Sequence, residues 1–132
     1  MTRLPLVLAT IAVLLLAACG GDDRKDVEQT VRDFVRATDQ RDADMFCDEL
    51  VTQEFLEQST GATGDRAKDA CKEQLTAVTG LRVKLVRIRR IEIDDDRARA
   101  SVVLETQGRR QARLLRLKRE DGDWKLAGGG GE

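Results

Sequence analysis

The 132-residue chain has no histidine and no tyrosine, one tryptophan, three phenylalanines and one proline. Without histidine it has no side chain that ordinarily changes charge between pH 5 and 8. General acid–base work would fall to a lone carboxylate with a retuned pKa. Zinc needs a filled tetrahedral shell, and two mature-chain thiols with no histidine fill only half of it, so no metal or other cofactor is expected. An aromatic content of 3% leaves no stacking platform for single-stranded nucleic acid, which is not expected as a partner. Long apolar runs are also missing. The one sizeable run, Leu4 to Ala18, spans about 22 Å as a helix, short of the ~20 residues a membrane crossing needs.

That run is the first thing the sequence does contain. Met1-Thr2-Arg3 gives a positive start, Leu4 to Ala18 a greasy middle, and Ala17-Ala18 a small-residue end, the layout of a secretory signal. Leu16-Ala17-Ala18-Cys19 resembles the bacterial lipobox. The resemblance implies diacylglycerol on the Cys19 sulfur, removal of residues 1–18, and Cys19 as the first residue of the mature chain. Each buried methylene contributes about 0.8 kcal/mol, so two acyl chains of the palmitate type fasten a protein to a membrane almost permanently. The expected location is the extracytoplasmic face of the cell membrane. The competing reading is an ordinary secretory signal cut near Ala18.

Cutting before Cys19 leaves 114 residues, enough for one domain with a real core. Charge is divided along it. Asp22 to Glu73 holds 15 acids and 8 bases, whereas Gln74 to Glu132 holds 9 acids and 14 bases. Cys47 and Cys71 form an even pair in an exported chain, which predicts a disulfide; two buried free thiols are the alternative. A bridge closing a loop of that length contributes roughly 3 kcal/mol on the chain-entropy model.

Periodicity predicts helices first and strands after. Residues 19–23 read as a lipidated, flexible tether. A first helix is expected from Asp23 to Thr38 with Val27, Val31, Phe34 and Val35 on one face. A second, capped by Asp42, groups Ala43, Phe46, Cys47 and Leu50 and runs on toward Phe55 and Leu56. Gln58 to Gly64 reads as a loop. A third helix, capped by Asp65 and ended by Gly80, buries Ala67, Ala70, Cys71, Leu75 and Val78. Beyond Gly80 the period falls to two. The apolar phase slips between Leu85 and Ile88, as at a β-bulge. Asp94-Asp95-Asp96 and Asp121-Gly122 read as turns. Ala98, Ala100, Val102, Leu104, Leu115, Leu117, Trp124 and Leu126 form the inward side of the later strands, with Met45 and Phe55 also in the core. Residues 128–132 read as a flexible tail. The fold class is α+β: three helices packed on a curved four-stranded antiparallel sheet.

The opening helix with Val31-Arg32-Asp33-Phe34, the Asp42 to Leu50 segment with Cys47, Cys71, and the closing Asp121-Gly122-Asp123-Trp124-Lys125-Leu126 carry a family likeness. The chain resembles the nuclear-transport-factor-2-like (SnoaL-like, cystatin-like) superfamily over residues 24–127, and within it the small lipoproteins of actinobacterial type. The resemblance implies a cone in which helices lie against the sheet, and a paired Cys47 and Cys71. Relatives with isomerase, cyclase or dehydratase activity use Asp, His or Tyr in the cone. Here only Glu92 and Glu105 come into question, and alternation places Glu105 outside, so no catalytic residue is assigned. Trp124 reads as core packing rather than a ligand wall. The dense cations from Arg87 to Arg119 read as a solvated, aggregation-resistant sheet face, or as a face for anionic lipid heads, an acidic envelope polymer or a partner protein. Val103 and Leu114 point away from the core, which suggests a homodimer. The expected function is a non-catalytic module binding a small apolar ligand or an envelope protein. An envelope isomerase or dehydratase, and a structural accessory to envelope assembly, are the alternatives.

Overall fold

The computed structural model describes residues 20–131. The leader, Cys19 and Glu132 lie outside the described residues. Helix α1 spans Gly20–Gln40, α2 Ala43–Met45, a π-helical turn Phe46–Leu50, α3 Gln53–Thr60 and α4 Asp65–Ala77. Strands β1 (Val83–Asp94), β2 (Arg97–Thr106), β3 (Arg109–Glu120) and β4 (Asp123–Gly131) form one antiparallel sheet in sequence order. Helices on one face of a four-stranded sheet are the expected class.

The core forms where the apolar stripes meet. Val27 and Val31 of α1 are fully buried and Val35 nearly so, against β1 and β4. Ala98, Ala100 and Val102 of β2, Leu115 and Leu117 of β3, and Trp124 and Leu126 of β4 close the other side. Each fully buried side chain of this kind contributes about 1.5–3 kcal/mol.

Several boundaries differ from the sequence reading. Helix α1 begins at Gly20, so Gly20 to Asp23 are helical rather than a loose tether. Two acids in its first turn, Asp22 and Asp23, suit the positive end of the helix dipole. The expected second helix is two segments. Asp42 caps the first, its side chain accepting from the Met45 amide at 3.2 Å, as expected. The chain then widens into the π turn and becomes extended at Val51 and Thr52. Thr52 starts α3 anew, its hydroxyl accepting from the Phe55 amide at 3.1 Å. Helix α3 consequently absorbs Gln58 to Thr60, and only from Gly61 is the predicted loop a loop. Gly64, not Asp65, stands at the N-cap of α4, without a side-chain cap. That helix stops at Ala77 instead of Gly80, which leaves Val78 40% exposed and off the expected stripe. Met45 is half-buried at the rim of a cavity rather than in the core.

The sheet follows its turns. Gln107-Gly108 and Asp121-Gly122 each have positive φ at both residues (52° and 80°, 53° and 84°), which matches strand twist in a two-residue hairpin. The expected phase slip in β1 is real and double: register shifts fall between Leu85 and Arg87 and between Ile88 and Arg90. The expected tail is strand instead, since Gly128 to Gly131 complete β4 against Arg116 to Arg113 of β3.

Candidate functional site

Cys47, in the π turn, and Cys71, in α4, form a disulfide with their Cα atoms 6.0 Å apart. Their sequence neighbours pair as well: the Lys72 ammonium donates to Asp48 at 3.0 Å and lies 3.3 Å from Asp44. Those two carboxylates raise the Lys72 pKa above its ordinary value, Asp48 contributing most.

The concave side of the sheet is packed at its middle and open at one end, where Thr52, Glu54 and Gln58 lie across a cavity of about 630 Å³ from Ile93, Ala98 and Leu117. Ala100, Val102 and Leu115, at its middle, are buried, and none of them lines any of the three cavities described. Thr52 is the single buried polar residue among the described residues, and its hydroxyl caps α3. Glu92 and Glu105, the acids weighed for the interior, both lie on the outer face. Glu92 pairs with Arg90 and Arg99 at 2.8 and 2.9 Å, and Glu105 with Arg110 at 3.5 Å. Trp124 is in the core, 5% exposed. Its indole N–H donates to Asp23 at 3.4 Å, and the Arg119 guanidinium, which also donates to Asp23, lies over its ring at 4.8 Å.

The basic half of the chain is therefore divided between two faces. Strand register puts Arg113 opposite Val102, on the inner side, where it donates to Gln111. Arg119 also turns inward, to Trp124 and α1. Outside, Arg97 stands directly opposite Lys118, and Arg99 opposite Arg116. These four, with Glu92 and Asp94 of β1, also border the cavity at the open end of the concave face, whose lining includes inward-facing Ala98 and Leu117 and, at α3, Thr52, Glu54 and Gln58. The Arg116 guanidinium lies against Gly128, where an added Cβ would sit 3.4 Å from its Nη2. Further along the same face, Ser101 stands opposite Leu114 and Val103 opposite Ala112, a partly buried apolar strip.

This two-by-two arrangement of cations was within reach of the sequence. Arg97-Ala98-Arg99 and Arg116-Leu117-Lys118 both alternate charge with apolar residues. A two-residue turn at Gln107-Gly108 fixes their register.

No family model matches the chain, and no curated protein matches it. Solved structures do. A protein with a cystatin-like fold from Caulobacter vibrioides superposes with a TM-score of 0.61 at 16% identity, covering 83% of this chain and 87% of that one. A protein from Catenulispora acidiphila gives 0.59 at 16%, covering 85% and 91%. An NTF2-like protein from Cytophaga hutchinsonii gives 0.58 at 18%, covering 80% and 93%. Identities this low speak for architecture alone: the chain has the cystatin-like, NTF2-like fold.

Proposed function

We propose that the chain is an extracytoplasmic lipoprotein, acylated on Cys19 and held at the outer face of the cell membrane as a non-catalytic binding module. Leu16-Ala17-Ala18-Cys19 after a short apolar leader supports the anchor, and the Cys47–Cys71 bridge fits an oxidising compartment. The observation that carries the binding role is the partly buried apolar strip on the outer face of the sheet, where Val103 and Leu114 stand with Ala112. Acid–base enzymes of this architecture need a free carboxylate inside; here Glu92 and Glu105 are held in ion pairs on the outer face, and Glu120 of β3 is engaged by the Gln53 amide at 3.1 Å and by Lys125 at 3.4 Å. The cavity at the open end of the interior is bordered by Glu54, Glu92, Asp94 and four cations, a charged setting for a small apolar ligand, so a protein is the better occupant. The strip of Ser101, Val103, Ala112 and Leu114 is the surface for it, and a second copy of the chain is the simplest partner.

Native mass spectrometry of the mature protein from its own membranes tests this. Pairs of chains are expected, and Leu114→Asp is expected to leave single chains. Single chains retaining a small apolar molecule would replace this reading with ligand binding.

A further inference from the structure

We infer that Arg97, Arg99, Arg116 and Lys118 form a seat for the phosphate of an anionic phospholipid in the membrane that holds the anchor. This rests on the reading of Cys19 as lipidated.

The first argument is electrostatic. Like charges directly opposite one another on neighbouring strands destabilise a sheet. Here two such pairs are adjacent, Arg97 with Lys118 and Arg99 with Arg116. Nearby acids offset them only in part. Glu92 is shared by Arg90 and Arg99, and Glu54, hydrogen-bonded to Gln58, closes no ion pair to any of the four. Asp94 stands opposite Arg97 in register without closing an ion pair to it. Arg97, Arg116 and Lys118 thus have no ion-pair partner among the described residues. A phosphate oxygen accepts from guanidinium and ammonium donors alike, and guanidinium pairs do so bidentately.

The second argument is position. Asp23 follows Cys19 by four residues, a reach of at most about 14 Å. Its carboxylate accepts from Arg119, which faces inward at the same end of the sheet as outward-facing Lys118. One residue on, the Arg24 guanidinium donates to the Ile91 carbonyl at 3.4 Å, beside Glu92. The cation block therefore lies at the end of the sheet nearest the anchor. The opposite end of the same outer face carries Lys84. It follows Val83, whose amide donates at 2.9 Å to Asp39, near the far end of α1. A helix of that length spans about 30 Å, so Lys84 stands well away from the anchored end.

Lipid headgroups are fixed in a plane, and the short link to Cys19 keeps the block beside that plane. Each cation near an anionic surface is worth roughly a five-fold gain in occupancy, so three unpaired ones suffice to orient the domain.

The experiment is amine acylation of the mature protein reconstituted in vesicles, read peptide by peptide by mass spectrometry. Phosphatidylglycerol vesicles are compared with phosphatidylcholine vesicles. Lys118 should be labelled several-fold more slowly in phosphatidylglycerol, with Lys84 labelled equally in both. In the Arg97→Gln/Arg116→Gln variant the Lys118 difference should disappear while Lys84 stays unchanged. Equal labelling of Lys118 in the two lipids would overturn the proposal, as would equal protection of Lys84. Protection of Lys118 by inorganic phosphate in phosphatidylcholine would assign the site to a soluble anion and overturn the lipid assignment. The same spectra report whether the Cys19 peptide carries lipid, so loss of the anchor is seen separately from loss of the headgroup site.

Discussion

The Cys47–Cys71 bridge is the residue pair on which stability rests most. It ties the π turn to α4, and Lys72 with Asp48 and Asp44 repeats the link through charge one residue away. The ion pairs are solvent-exposed and contribute little alone. The covalent link closes a loop of 24 residues' separation. Replacing both cysteines with alanine is expected to lower unfolding free energy by roughly 3 kcal/mol in urea titrations. A loss below about 1 kcal/mol would mean that the packing of α4 on the π turn holds without the bond. At this scale the sequence was legible where chemistry restricts a residue: the even pair Cys47 and Cys71, Asp42 as a cap, Trp124 in the core. It was less legible for Met45 and Val78, whose side chains fit a buried stripe equally well but whose helix ends elsewhere. The sharing of Asp23 between Arg119 and Trp124 joins residues nearly a hundred positions apart, and local pattern carries no signal for that.

Among the elements, the strands obeyed their period and the helices did not keep their ends. Two-residue turns fix strand register, and a slip would turn every apolar residue of β2 outward. Both bulges in β1 follow from the change of apolar phase that the sequence displays between Leu85 and Ile91. Helix ends depend instead on long-range partners. The break at Val51 and Thr52 exists because the Thr52 amide donates to the Leu126 carbonyl at 2.9 Å, a backbone bond to β4 that competes with continued helix. Thr52 then serves the new helix as its cap. Thr52→Val keeps the buried shape and removes the cap, and should cost about 1–2 kcal/mol. Hydrogen exchange should quicken first at the Phe55 amide, and Thr52→Ser should restore protection. Unchanged exchange at Phe55 would show that α3 starts without the hydroxyl. Gly128 to Gly131 were misread because glycine ordinarily weakens strands. In this sheet they lie beside β3, where Arg116 and Leu115 pack against the glycine backbone.

At the scale of the molecule, the proposed acyl anchor goes with a disulfide-bridged domain packed at the middle of its interior and with two outward surfaces of different character. The apolar strip of Val103 and Leu114 faces away from the core, and the cations of Arg97 to Lys118 gather at the end of the sheet where α1 begins. Alternation made the strip legible in the sequence. The division of the basic residues between two faces was not, because it depends on which face the helices cover. The measurement that tests the central claim most directly is the intact mass of the protein extracted from the membranes of the cells that make it, before and after reduction. The account predicts a chain starting at Cys19, heavier by a diacylglyceryl group, that gains the mass of a pair of hydrogens on reduction. A chain starting elsewhere, or Cys19 with an unmodified sulfur, would contradict it.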